Sequence, residues 1–199
     1  ALASGSRGLS LIGSTNENAG GTVLQGFNTA EAISLDEAFG TVLKNLRIER
    51  TGSSLSAGLH VNESQYVDVR DVKVSGATRS FHVVDSTAVD FRYCQSVGAT
   101  ESGLETVDST GTIWWHGTLW SNRYGIVQND GIGTLSVYNT LFGSFGVGRF
   151  AYLRYDGTLS ADYNCIYRTN SAFAAALVTG SGVGGGTTQG GGGGAGGDA

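Results

Sequence analysis

Proline and methionine are absent from this 199-residue chain, cysteine occurs twice, and charged residues make up 15% of it. Without proline, nothing breaks helices by sterics. Helix is instead excluded by the lack of a sustained 3.6-residue apolar period rich in Leu, Ala, Glu and Lys. No apolar run approaches the roughly 20 residues that a membrane-spanning helix needs, so a membrane span is not expected. The formal net charge of -5 lacks the basic surface that binds phosphate backbones, which argues against a nucleic-acid partner. The chain shows no signal peptide and no Met at position 1. It therefore reads as a processed chain or a piece of a larger one.

What is present is glycine, 33 of them, and many short alternations such as Val67-Asp68-Val69 and Val72-Lys73-Val74. Period-two alternation of β-branched residues predicts strands. The length suffices for one domain with its own core.

The strands recur. "GLHVNESQYVDVRDVKVS" from Gly58 and "SFHVVDSTAVDFRYCQSV" from Ser80 scan alike. Taking the first apolar residue of each unit gives Ile33, Leu59, Phe81, Leu104, Ile126 and Phe150, at spacings of 26, 22, 23, 22 and 24. A second marker keeps step: Leu46/Ile48, Val72/Val74, Cys94/Ser96, Thr118/Trp120, Thr140/Phe142 and Cys165/Tyr167. A unit this short cannot bury its own apolar face, but stacked coils pair each strand with its equivalents at ~4.8 Å and share one core. The leucine lattice of leucine-rich repeats, the strict hexapeptides of left-handed β-helices and the longer period of propellers are all missing.

The scheme G-L-x-V-x-x-S … V-x-V-x-x-V-x-V resembles the right-handed parallel β-helix family, the pectate-lyase-like superfamily. "GLSLIGSTNENAGGTVLQGF" (Gly8 to Phe27) resembles its first coil, and "LSADYNCIYRTNSAFAAALVTG" (Leu159 to Gly180) the end of secreted bacterial members. The expectation is an all-β, single-stranded right-handed parallel β-helix of about seven coils over residues 1–178. A Gly-rich tail, residues 179–199, follows as a linker or packed segment leading to further sequence. The resemblance implies a secreted or cell-surface location and a partner that is a polysaccharide or cell-surface glycan. Open ends add self-stacking or a larger parent chain.

Columns follow from the register. Cys94 and Cys165 are expected in one inward column with Thr118 and Thr140 between them, roughly 14 Å apart over three coils. That is too far for a disulfide. On the outside of the first strand, Ser34, His60, His82, Glu105, Val127 and Ala151 are expected in a row, flanked by Arg79, Glu101 and Arg123. His60, His82 and Glu105 are the catalytic candidates, as general acid or base with a carboxylate partner. Ser34, His60, His82, Glu105, Arg79 and Arg123 form a candidate carbohydrate-binding face. In the resembled enzymes this strand face holds the polysaccharide. An acidic column, Glu37, Glu63, Asp85, Asp108 and Asp130 followed by Arg154, reads as turn-formers, with Glu63, Asp85, Asp108 and Asp130 as candidate Ca²⁺ ligands and no other cofactor expected. Alternation puts Ile113, Trp115 and Trp120 inward and Trp114 outward, where an exposed indole could stack on a sugar. Tyr93 and Tyr138 are expected on neighbouring coils' surface.

Two function classes follow: an extracellular structural or adhesive domain with a shallow carbohydrate-binding face, or a polysaccharide lyase or glycoside hydrolase using that face. A phage tailspike-like glycan-binding protein is a third. The catalytic signatures of polygalacturonases, calcium-dependent pectate lyases and epimerases are missing from the chain, which favours the first.

Overall fold

The computed structural model describes residues 5, 7–14, 21–26, 29–129, 133–143, 151–167, 178–180 and 183–185. Strand follows strand in parallel, and among the described residues there is no helix. The chain is a parallel β-helix, a solenoid whose described residues close about five turns rather than the expected seven. Seven strands do line one face, Thr29–Asp36, Leu55–Asn62, Arg79–Val84, Ser102–Val107, Tyr124–Gln128, Ala151–Tyr155 and Val178–Gly180. After the last of them, the described chain continues only as Val183–Gly185. The other faces form one 13-stranded sheet that wraps a corner. Its longest strand, Gln65–Ser75, pairs with Thr87–Arg92 before that corner and with Gln95–Val97 after it.

The corners explain the period. A coil must turn sharply at the same offset each time, and residues in the left-handed region do this. Glu37, Glu63, Asp85 and Asp108 adopt φ of 50°, 47°, 46° and 47° at one corner, while Asn45, Asp71, Tyr93, His116, Asn139 and Tyr163 adopt φ of 50–56° at another. Asn, Asp and His tolerate this region best among side-chain-bearing residues. Just after the first corner, Ser64, Ser86 and Ser109 point into the lumen and form a ladder. The backbone N–H of Ala38 donates to Ser64 Oγ at 2.9 Å, that of Ser64 to Ser86 Oγ at 3.0 Å, and that of Ser86 to Ser109 Oγ at 3.1 Å. Each of these hydroxyls donates back to the carbonyl two residues earlier. Buried polar groups are thereby satisfied where strands cannot pair.

Between corners the lumen is apolar. Ile33, Leu59, Phe81, Leu104 and Ile126 stack in register, and Leu153 is the next backbone partner in that register. Leu153 therefore replaces the expected Phe150, which lies outside the described residues. Phe81, Phe91 and Trp114 pack mutually, with ring centroids 5.3 to 5.5 Å apart. Trp114 is 0% exposed, so the expected surface platform is a core residue. Its register partners Phe91 and Val137 are also buried. Trp115 is the exposed indole. The same slip of one residue recurs downstream. Leu119, not Thr118 or Trp120, aligns with Ser96 and Phe142 in the lumen. Thr140 is buried as expected. Cys165 aligns with the exposed Leu141 and faces out, while Cys94 is buried. The two cysteines are free, though they do not share a column. Of the tail, Thr179 and Gly180 end the strand Val178–Gly180, Val183–Gly185 is a further strand, and residues 181, 182 and 186–199 lie outside the described residues.

Candidate functional site

The outward row of the seven-stranded sheet stands as the period requires. Ser34, His60, His82, Glu105 and Val127 are consecutive register partners, and the row ends in Arg154 rather than Ala151. Arg154 consequently leaves the acidic column. The sixth unit is thus shifted by three positions relative to the expected marker.

At the centre of the row, His60 Nδ1 and His82 Nδ1 lie 3.1 Å apart, with ring centroids at 4.9 Å. One ring donates and the other accepts, so the contact requires at least one of the two to be neutral. Burial pushes the His82 imidazole down to about 4, with His60 and Arg79 adding to the effect and Glu105 opposing it. His82 is therefore neutral at pH 7.

Glu105 is held from three sides. Its Oε2 accepts from Arg79 Nε at 2.6 Å and Ser102 Oγ at 3.1 Å, and its Oε1 accepts from Asn129 Nδ2 at 2.9 Å. Arg79 also pairs with Glu101 at 2.8 Å. Strand pairing puts Arg79 level with Ser102 and Tyr124, one step on from Glu101 and Arg123. The expected flanking row is thus two adjacent columns. Arg123 is exposed, with its guanidinium 5.7 Å from the Tyr124 ring centroid. Ser102 and Asn129 were missed in the sequence because their role is set by cross-coil geometry, and no local motif announces it.

The acidic column behaves as turn-formers. Glu37, Glu63, Asp85 and Asp108 are exposed, and the backbone N–H groups of Glu37, Glu63 and Asp85 donate to the next coil at 3.0–3.1 Å. Asp130 lies outside the described residues. Among the described residues no three His, Cys, Asp or Glu side chains converge as a metal site would need.

On the 13-stranded sheet, a second group of side chains comes together that the sequence did not single out as a site. Tyr93 and His116 stack at 5.3 Å and 12°, and His116 stacks on Trp115 at 5.3 Å and 14°. The Arg92 guanidinium lies 5.9 Å from the Trp115 ring centroid. Tyr138 is half-buried one coil on from Trp115.

Comparison with known proteins finds no matching family model, no matching curated protein and no matching solved structure.

Proposed function

We propose that this chain is an extracellular structural or adhesive β-helix domain that presents a shallow carbohydrate-binding face on the first strand of each coil. Ser34, His60, His82, Glu105, Arg79 and Arg123 make up that face. The observation that carries the reading is the hold that Arg79, Ser102 and Asn129 have on Glu105, filling three of a carboxylate's roughly four acceptor positions. A carboxylate whose oxygens already accept three hydrogen bonds is a fixed recognition element rather than a free general base or nucleophile. Charged groups spent on each other along a flat strand surface suit weak, repeated contacts with a long polymer. The likeness of the repeat to secreted members of the pectate-lyase-like superfamily supports the location and the ligand class.

A polysaccharide lyase is the second reading, favoured by one feature: a neutral His82 on the outer strand face is the kind of base that proton abstraction next to a uronate carboxylate would use. A glycan-array screen run together with a uronate-lyase absorbance assay separates the two. Array binding without turnover, weakened in His82→Ala, is the expected result. Turnover lost in His82→Ala would replace the adhesive reading by the lyase. No glycan bound and no turnover would reject both.

A further inference from the structure

We propose a second glycan site, for an uncharged saccharide chain, on the ring shelf formed by Tyr93, His116 and Trp115 at the corner of the 13-stranded sheet. It shares with the reading above only the premise that the rod meets a glycan, and it lies on a different sheet from His60 and His82.

The shelf is built by the repeat. Arg70, Arg92, Trp115 and Tyr138 are successive register partners on the outer surface of this sheet. The residue after each turns the corner in the left-handed region: Asp71, Tyr93, His116 and Asn139. Coil stacking therefore sets Tyr93 directly before His116, and the sequence neighbour Trp115 completes a run of nearly parallel rings. Tyr93 is 55% exposed and Trp115 39%, and His116 is exposed.

Two features say that the rings serve a ligand. The first is where Tyr93 sits. At this corner Asn45, Asp71 and Asn139 satisfy the left-handed backbone cheaply, whereas the tyrosines at 93 and 163 each cost on the order of 1–2 kcal/mol and bury little in return; Tyr93 is the one that stands in a ring stack, on His116. Strain of this kind concentrates at ligand clamps. The second is the polar tip on every ring, a phenol, an imidazole and an indole, each joined to a flat apolar face. Those surfaces match a pyranose, which carries C–H groups on its faces and hydroxyls at its edge.

The charges select an uncharged chain. Arg92 is ion-paired with Asp90 and Arg70 with Asp68, so no guanidinium on this strip is left to seek a uronate. A protein partner is disfavoured by size. Three aromatic side chains exposed to this degree offer about 300 Å², against the roughly 800 Å² per partner of a stable protein interface. Asp71 and Asn139 bound the shelf at the corner positions on either side.

The test is titration of the whole chain with neutral hexasaccharides of β-1,4-linked glucose, xylose, mannose and N-acetylglucosamine, and with hexagalacturonate as the acidic probe. Tryptophan emission and calorimetry give the readout. A neutral hexamer is expected to bind and perturb the emission. Tyr93→Asn should weaken it about tenfold, one ring's worth of stacking, while the melting temperature holds or rises because Asn suits the backbone. Trp115→Ser should abolish binding by calorimetry, and His60→Ala/His82→Ala should leave it unchanged. Failure of every neutral hexamer overturns the proposal, as does wild-type affinity in Tyr93→Asn. Binding of hexagalacturonate alone, lost with the two histidines, would also reject the shelf while supporting the face on the other sheet.

Discussion

Trp114 fills the room that a side chain at position 117 would need: a Cβ added to Gly117 would overlap the indole nitrogen and the ring carbons beside it. The glycine thus holds its place through close packing with the lumen's largest buried side chain. Gly117→Ala is expected to destabilise by about 1–3 kcal/mol, the usual cost of overpacking a filled core. Trp114→Phe shrinks the ring and removes a buried indole N–H that lacks a partner. The double variant should therefore lose less than the sum of the singles, as a double-mutant cycle by urea denaturation will measure.

The serine ladder predicts a cost out of proportion to its size. Ser86→Ala removes one methyl-sized hydroxyl, yet it strips the Ser64 N–H of its acceptor and the Val84 carbonyl of a donor. A loss of about 1–3 kcal/mol is expected. Thr87→Ala, next door and exposed, should stay within about 0.5 kcal/mol. Equal costs in chemical denaturation would show that the ladder does not hold the corner.

Stability should depend on pH through His82. Its folded-state value near 4 lies below the ordinary 6.5, so the unfolded chain binds the proton more readily. The favourable contribution is complete above about pH 6.5 and is lost as pH falls toward 4. Discounted for residual hydration, its size is about 1–2 kcal/mol. The groups facing His82 are His60, Glu105 and Arg79. Melting curves of the parent and of His82→Asn at pH 7.5 and 4.5 test this: the gap between the two pH values should narrow in the variant.

Thiol labelling should separate the two cysteines. Burial pushes the Cys94 thiol up to about 12, and Cys165 is exposed. One equivalent of a thiol reagent should react with the native protein, at Cys165, and a second only after unfolding. Two equivalents in the native state would mean that the lumen opens around Cys94.

The period was legible because corners and inward residues repeat together, and it placed His60, His82 and Glu105 in one row correctly. Phase was harder. In "IWWHGTLW" three apolar residues run together, so alternation fits either side of the strand, and the choice made on Trp115 was one residue off. Gly117 held the missing information, since a glycine beneath an inward indole marks where that indole goes. Downstream, the same error put Cys165 inside. The backbone role of Glu63 and Asp85 was legible as turn chemistry, but a left-handed tyrosine at 93 was not, because no propensity favours it. Ser102 and Asn129 meet Glu105 only across coils, and that contact is invisible to any local window.

The spacing of the ladder serines, 22 residues from Ser64 to Ser86 and 23 from Ser86 to Ser109, has a practical outcome. The chain could be cut at two such points and rejoined, because each junction meets the same carbonyl, the same bend and the same neighbour. Shortening or lengthening the rod is then a matter of removing or copying whole turns. Each copied turn would extend the stack by one strand spacing, about 4.8 Å, and leave the turns on either side with the neighbours they already have.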